Sequence, residues 1–364
     1  MAQNHLVGLT APQWWRLLRE NRFAVDPVYW HRAAFITLMS MGNSLLKHRE
    51  DRLHKKRFAQ VRLTEPPLFV LGYWRSGTTH LHNLLAQDTA QFNFPNTYQV
   101  VNPYTFLVSE AFNTKMFHGT THHRRAMDNM TVSFQTPQED EFALLLMTLR
   151  SLYVGMSFPR HEARYKKYLT FQGVPASEVA EWKEAFLLFL KKLTLNNPRA
   201  LLLKSPTHTA RIRLLLEMFP KARFVHIHRH PCQVYQSSLH TFDTMAWRTF
   251  LQKPDLDIVE DRLLEGYKSV YDAYFAERDL IPKGQLHEVS FDEVERDPIG
   301  ATRSIYQGLN LPGFDAFEPR LKKYTASLAG YKKNTFPALP VATRQKIYQA
   351  WQRNFDEWGY KADL

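Results

Sequence analysis

A glycine-bounded loop with the sequence Gly-Tyr-Trp-Arg-Ser-Gly-Thr-Thr occupies residues 72–79. It follows the apolar run 68–71 and precedes a helical stretch, which is the strand–loop–helix context of a phosphate loop. Gly72 and Gly77 can adopt the positive φ values that turn backbone N–H groups inward, and the helix N-terminus adds partial positive charge. The segment therefore predicts an anion-binding site.

A second anion site is predicted where the short strand-like run 223–228 ends at Arg229. Pro231 then begins a helix that carries Ser237 in its second turn. An arginine fork suits bidentate capture of a phosphate, and a serine hydroxyl adds one more donor. Two anion sites on two strands of one sheet are what a nucleotide phosphorylated at both its 3′ and its 5′ end would require.

Both segments resemble the cofactor-binding motifs of sulfotransferases that use 3′-phosphoadenosine-5′-phosphosulfate (PAPS), and the resemblance extends over roughly residues 66–335. It implies transfer of a sulfuryl group from PAPS, as co-substrate, to a hydroxyl (or amine) of a small-molecule, lipid or carbohydrate acceptor. It also implies that Arg229 and Ser237 hold the 3′-phosphate, and that Lys332 and Lys333 belong to a late basic loop that closes over the cofactor. The residues implied for the 5′-phosphate are Arg75, Ser76, Gly77, Thr78 and Thr79.

Sulfuryl transfer needs a base on the acceptor hydroxyl and positive charge on the oxygen that leaves, and it requires no metal. Lys204 and His208 follow a strand-like run, and cytosolic sulfotransferases have a Lys and a catalytic His near this position, although closer together. The rival base is Glu139, the first of three consecutive acids before an apolar helix; several carbohydrate and tyrosine sulfotransferases use a Glu. The sequence predicts His208 first and Glu139 second, with Lys204 and Arg75 stabilising the leaving group.

Short apolar runs and helical stretches position these residues. Strands are predicted at 68–71, 200–203, 223–228 and 285–291, and helices at 79–87 and 210–218. Strands that alternate with helices predict a parallel sheet, with function at the carboxyl ends of its strands. We therefore expect an α/β fold of the P-loop nucleoside triphosphate hydrolase-like type, a three-layer sandwich with a central parallel sheet.

The sequence predicts that residues 1–62 form a helical region, which packs on a main sulfotransferase domain of residues 63–364. Aromatic residues at helical spacing favour packing on that domain, but interleaved arginines leave peripheral contact with an anionic membrane open. The apolar stretch 33–46 is shorter than the roughly 20 residues that span a bilayer, and no secretory signal is recognisable, which favours a cytoplasmic location. The aromatic residues concerned are Trp14, Trp15, Phe23, Tyr29 and Trp30.

The charge balance is basic, with 47 Lys and Arg against 35 Asp and Glu and a formal net charge of +12. This favours an anionic partner, which for this sequence we expect to be the nucleotide rather than a nucleic acid. The single cysteine, Cys232, excludes an internal disulfide and fits a reducing compartment.

A phosphate-loop kinase is the first alternative function, but Thr78 stands where such enzymes have the Lys that reaches the terminal phosphates. A basic nucleic-acid-binding protein is the second.

Overall fold

The central sheet of the molecule has five parallel strands. The computed structural model describes residues 4–116, 123–125, 127–195 and 197–362. Within them the strands are β1 (Leu68–Leu71), β2 (Phe92–Asn93), β3 (His123–Arg124), β4 (Thr131–Val132), β5 (Ala200–Lys204), β6 (Arg223–His228) and β7 (Leu286–Ser290). The order across the sheet is β2-β5-β1-β6-β7, and β3 and β4 form a separate antiparallel pair.

The four predicted strands are present. β1 and β6 have the predicted bounds, β5 runs one residue further to Lys204, and β7 is one residue shorter at each end. β5 and β6 lie on either side of β1, so the chain crosses over β1 between them. Because all five strands are parallel, the segments that follow β1, β5 and β6 meet at one edge of the sheet.

The helices lie before, between and after the strands. They are α1 (Ala11–Glu20), α2 (Trp30–Gln60), α3 (Thr78–Leu85), α4 (Thr97–Val101), α5 (Phe106–Met116), α6 (Glu141–Thr148), α7 (Val154–Ser157), α8 (Ala163–Lys166), α9 (Ala176–Thr194), α10 (Ile212–Met218), α11 (Pro231–Met245), α12 (Val259–Glu277), α13 (Phe291–Arg296), α14 (Pro298–Gly308), α15 (Phe314–Ser327) and α16 (Val341–Trp358). The helix predicted from residue 210 begins two residues later, because Pro206–Ala210 form a 3₁₀ turn.

Alternate residues of the strands enter two different apolar layers. Phe69 and Leu71 of β1 join one buried cluster, whereas Leu68 and Val70 join the other. Successive side chains of a strand point to opposite faces of a sheet, so helices must cover both faces. The fold is therefore the predicted three-layer α/β sandwich.

The two N-terminal helices pack on the layer that contains Phe69. α1 buries Trp14 and Leu17 in it, and the inner face of α2 buries Ile36. Glu50 of α2 is fully buried, forms an ion pair with Lys192 of α9, and accepts a hydrogen bond from the backbone N–H of Leu107 in the first turn of α5. None of the helices in the described ranges is long and apolar enough to cross a bilayer.

Candidate active site

The loop between β1 and α3 has the backbone geometry of an anion-binding turn. Gly72 and Gly77 have φ values of +143° and +99°, and Arg75 has +70°. A Cβ atom on Gly77 would lie 2.3 Å from a ring carbon of Phe291, so no side chain fits at this position. The Ser76 hydroxyl is buried and donates to the carbonyl oxygen of Tyr73 at 2.7 Å, which fixes the shape of the loop from inside.

Residues predicted for two phosphate sites converge on one place. Arg75 Nε donates to Ser237 Oγ at 2.9 Å, and Arg229 Nη1 donates to the carbonyl oxygen of Arg75 at 3.3 Å. The guanidinium of Arg229 also lies 4.3 Å from the ring centroid of Phe291. The turns after β1 and β6 therefore face each other across one shared cleft.

Arg75, Arg125 and Arg229 lie around this cleft, and among the residues that the structure describes only Asp128 forms ion pairs with them. Asp128 accepts from Arg125 at 2.6 Å and from Arg75 at 3.2 Å, so one carboxylate serves two guanidinium groups. Burial lowers the pKa of Arg75, and Arg125 adds to that effect against the attraction of Asp128. Burial and the nearby Arg75 lower the pKa of Arg229. The cluster keeps its charge because guanidinium does not deprotonate in proteins, so it is suited to bind an anion.

The late basic loop reaches this cleft through other residues than its lysines. Tyr331 Oη donates to the Asp128 carbonyl oxygen at 2.6 Å, and Asn334 Nδ2 donates to the carbonyl oxygen of residue 127 at 2.9 Å. Lys332 is exposed, and the ammonium of Lys333 is paired with Glu295 at 2.7 Å. Sequence reasoning missed Arg125 and Asp128, since neither belongs to a motif. It named the segment 331–334 as the late basic loop but chose Lys332 and Lys333 as its binding residues, whereas Tyr331 and Asn334 make the contacts.

A second group of side chains lies beside the start of α3. Lys204, at the end of β5, is fully buried, and its Nζ donates to Glu139 Oε1 at 2.8 Å and lies 3.5 Å from Thr79 Oγ1. The other carboxylate oxygen of Glu139 accepts from Tyr153 Oη at 2.5 Å, and Tyr153 Oη accepts from the indole of Trp74 at 2.8 Å. A chain of hydrogen bonds thus joins the phosphate loop, through Trp74, to Glu139.

Burial perturbs two members of this group. It lowers the pKa of Lys204, and the adjacent Glu139 carboxylate opposes the shift. It raises the pKa of Tyr153 well above its ordinary value, and the Glu139 carboxylate adds to the rise, so Tyr153 is a hydrogen-bond donor at neutral pH. The Glu139 side chain itself is 13% exposed, whereas that of Lys204 is 1% exposed.

His208 is placed differently from the sequence expectation. Its side chain is fully buried between Phe186 and Phe69, and its Nε2 lies 2.6 Å from Asp140 Oδ2. The structure therefore places His208 in the core, bonded to Asp140, with none of its side chain exposed in the cleft. Lys204 and His208 lie further apart in the sequence than the Lys and the catalytic His of cytosolic sulfotransferases. The 3₁₀ turn after β5 directs His208 into the core.

The three consecutive acids have three different partners. Glu139 pairs with Lys204 in the cleft, Asp140 with His208, and Glu141 with Arg211 in a fully buried bidentate pair at 2.6 and 3.1 Å. The segment is held against the end of β5, because the backbone N–H of Glu141 donates to Ser205 Oγ at 3.0 Å. Two of the acids therefore fix the turn, and the first reaches the cleft.

Comparisons with known proteins identify the family. The family model described as "Sulfotransferase family" matches residues 66–316. The chain is 36% identical over 354 residues to the omega-hydroxy-beta-dihydromenaquinone-9 sulfotransferase Stf3 of Mycobacterium bovis, with 97% of this chain and 90% of that protein covered. The chain belongs to the sulfotransferase family. The protein named Stf3 of Mycobacterium tuberculosis matches with the same identity and coverage.

Solved structures support the fold. Sulfotransferase STF9 from Mycobacterium avium is 22% identical, with a TM-score of 0.67 and coverage of 91% of this chain and 87% of that chain. Sulfotransferase STF1 from Mycobacterium tuberculosis H37Rv is 16% identical, with a TM-score of 0.58 and coverage of 93% and 90%. The chain is thus a sulfotransferase with a P-loop-like fold, and the family match favours this function over a kinase or a nucleic-acid-binding protein.

Proposed function

We propose that this sulfotransferase takes its sulfuryl group from PAPS and transfers it to a hydroxyl of a lipid-like acceptor, with Glu139 as the base. The observation that carries the proposal is the contact between Lys204 and Glu139 beside the phosphate loop. It brings together a cation that can stabilise a leaving oxygen and a carboxylate that can accept a proton.

The donor set of the cleft fits a nucleotide with two phosphate groups. The loop N–H groups and the hydroxyls of Thr78 and Thr79 would hold the 5′-phosphate at the start of α3. Arg229 and Ser237 would hold the 3′-phosphate, and Arg75 lies between the two. The excess of guanidinium groups supports this assignment, because a bisphosphorylated ligand would supply the missing negative charge.

Glu139 is proposed as the base in preference to His208. Glu139 is partly exposed in the cleft, whereas His208 has no exposed surface and is committed to Asp140. In the proposed step Glu139 takes the proton of the acceptor hydroxyl as its oxygen forms the new bond to sulfur. Lys204 donates to the bridging oxygen, which keeps the electron pair of the breaking sulfur–oxygen bond and leaves with the nucleotide.

Lys204 must exchange partners for this step. In the structure Glu139 Oε1 accepts from Lys204, and Oε2 accepts from Tyr153. Lys204 lies close enough to Thr79 for a bound phosphosulfate to draw its ammonium toward the loop. That movement frees Oε1 for the acceptor, while Tyr153 still holds Oε2.

A lipid-like acceptor is proposed on two grounds. The Stf3 relatives are named for a hydroxylated menaquinone, and the rings next to Glu139 are apolar. Tyr153 packs against Phe142 at 5.1 Å and Trp74 at 6.0 Å between ring centroids. An aromatic wall suits an acceptor that is hydrophobic next to its hydroxyl.

The donor and the acceptor can be tested separately. Titration calorimetry should show tighter binding of 3′-phosphoadenosine-5′-phosphate (PAP) than of ATP or AMP. Labelled PAPS should then transfer its sulfuryl group to a ω-hydroxylated isoprenoid quinone but not to the quinone without the hydroxyl. Equal binding of the three nucleotides would count against PAPS, and transfer to polar sugars alone would count against the lipid acceptor.

Arg229→Ala is expected to weaken PAP binding by about 10- to 100-fold, because charge-assisted hydrogen bonds to the 3′-phosphate are lost. Binding of AMP, which lacks that phosphate, should change by less than about threefold. Calorimetry with both nucleotides measures the difference, and Arg213→Ala, at an arginine 60% exposed outside the cleft, is the matched control. Similar losses for PAP and AMP would remove Arg229 from the 3′-phosphate site.

Tyr153→Phe is expected to lower kcat by about tenfold with PAP affinity unchanged, because Glu139 loses the donor that orients Oε2. Tyr165→Phe removes another buried tyrosine hydroxyl, bonded to Asn21, and controls for loss of stability. A fall in kcat no larger than that of Tyr165→Phe would make Tyr153 merely structural.

A further inference from the structure

The outward face of α2 has an apolar half and a cationic half. Eight exposed residues recur along it at intervals of three or four, which places them on one side of the helix. We call this set the outer stripe, and it consists of Trp30, Ala34, Leu38, Met41, Leu45, Arg49, Arg52 and Lys56. Its first five members are apolar and its last three are cationic.

The apolar half of the outer stripe is strongly exposed. Trp30 is 62% exposed, Leu38 67%, Met41 56% and Leu45 75%. From Trp30 to Leu45 the helix rises about 22 Å at about 1.5 Å per residue. Phe35 and Leu46, also exposed, border this band on one side. A contiguous apolar surface of this length on a solvent-exposed helix face marks an interaction site.

The opposite face of α2 already has its partners. Ile36 is buried in the core, Asn43 donates to the carbonyl oxygens of Val7 and Leu9, and Glu50 is paired with Lys192. These contacts fix how α2 is rotated, so the outer stripe cannot turn inward without breaking them. The protein therefore presents this stripe outward in its folded state.

The cationic half of the outer stripe has no acidic neighbours to neutralise it. Across the ranges that the structure describes, Arg49, Arg52 and Lys56 form no ion pair with a carboxylate. The acids of this helix are used elsewhere, since Glu50 pairs with Lys192 and Asp51 with Lys47. An anionic surface is thus the partner that matches this half electrostatically.

We propose that the outer stripe docks the protein on an anionic lipid surface, with α2 lying in the plane of the interface. The apolar half enters the boundary between headgroups and acyl chains, and the cationic half contacts lipid phosphates. A second copy of this chain is the less suitable occupant, because the basic turns of two such stripes would repel each other unless they lay far apart. The proposal does not depend on which donor or base the enzyme uses.

The test uses the full chain and vesicle co-sedimentation. The wild-type protein should bind vesicles of phosphatidylglycerol and phosphatidylcholine, should bind phosphatidylcholine vesicles poorly, and should lose binding as salt is raised. Leu38→Glu with Leu45→Glu should lower the partition coefficient at least about tenfold. Arg49→Gln with Lys56→Gln should reduce binding to the anionic vesicles and flatten the salt dependence.

A matched control keeps the result interpretable. Leu280→Glu with Val341→Glu makes the same changes at residues 41% and 50% exposed outside α2, and should bind as the wild type does. Circular dichroism and thermal denaturation report whether each variant is folded. Wild-type protein that ignores anionic vesicles, or a Leu38 and Leu45 double variant that still binds them, would overturn the proposal. A dimer of the wild-type protein in sedimentation velocity would also overturn it, if the Leu38 and Leu45 double variant is monomeric while its vesicle binding is unaffected.

Discussion

Replacing Glu139 by Gln is expected to lower the single-turnover rate of sulfuryl transfer by about 10³-fold, because the acceptor proton loses its base. The amide still offers an oxygen to Lys204, so the fold and the affinity for PAP should change little. Rapid-quench measurements with labelled PAPS, with PAP affinity determined separately, distinguish chemistry from binding.

Two comparisons make this result decisive. Glu265→Gln removes a surface carboxylate 62% exposed and paired with Lys166, and should react at the wild-type rate. His208→Gln keeps a hydrogen-bonding group next to Asp140 and should stay within about threefold of wild type per folded molecule, as expected for a side chain remote from the acceptor. A large loss in His208→Gln with near-full activity in Glu139→Gln would return the base to His208.

Replacing Arg211 by Met is expected to lower the free energy of unfolding by about 3–5 kcal/mol, because it leaves the buried Glu141 carboxylate without its cation. The same change removes donors to the carbonyl oxygens of Leu169 and Tyr168. Urea denaturation measures the effect. Arg303→Met, in an ion pair whose arginine is 40% exposed, should cost less than about 1 kcal/mol.

The double variant Arg211→Met with Glu141→Leu separates charge from packing. It should be clearly more stable than Arg211→Met alone, since no uncompensated charge stays in the core. Equal stability of the single and double variants, or a loss below about 1 kcal/mol for Arg211→Met, would show that this pair does not anchor the turn that carries Glu139.

The sheet and the two turns proposed to bind phosphate could be predicted because their signals are local. β1, β5 and β6 are short, largely apolar runs next to punctuating residues; Arg75 lies in the glycine-bounded loop after β1, and Arg229 directly follows β6. β2 was missed because two residues are too few for a pattern. The β3 and β4 hairpin was missed for the same reason.

The sequence could not decide between His208 and Glu139 because it does not show which side chains are buried. Glu139, Asp140 and Glu141 are adjacent acids, and their partners distinguish them: Lys204 at the end of β5, and His208 and Arg211 after it. His208 likewise looks available until Phe69 and Phe186 are seen to enclose it. Tyr153 belongs to no recognisable sequence motif, so its hydrogen bond to Glu139 is visible only in the three-dimensional structure.

Trp74 has a consequence for how mutants of this enzyme are to be interpreted. Its backbone belongs to the turn proposed to receive the nucleotide, and its indole donates to the phenol oxygen of Tyr153, which in turn donates to Glu139. A substitution that shifts this turn will disturb turnover as well as affinity, even when it touches no reacting atom. Under the proposed mechanism, donor recognition and proton removal are thus mechanically coupled, and substitutions at residues 72–79 are expected to affect both.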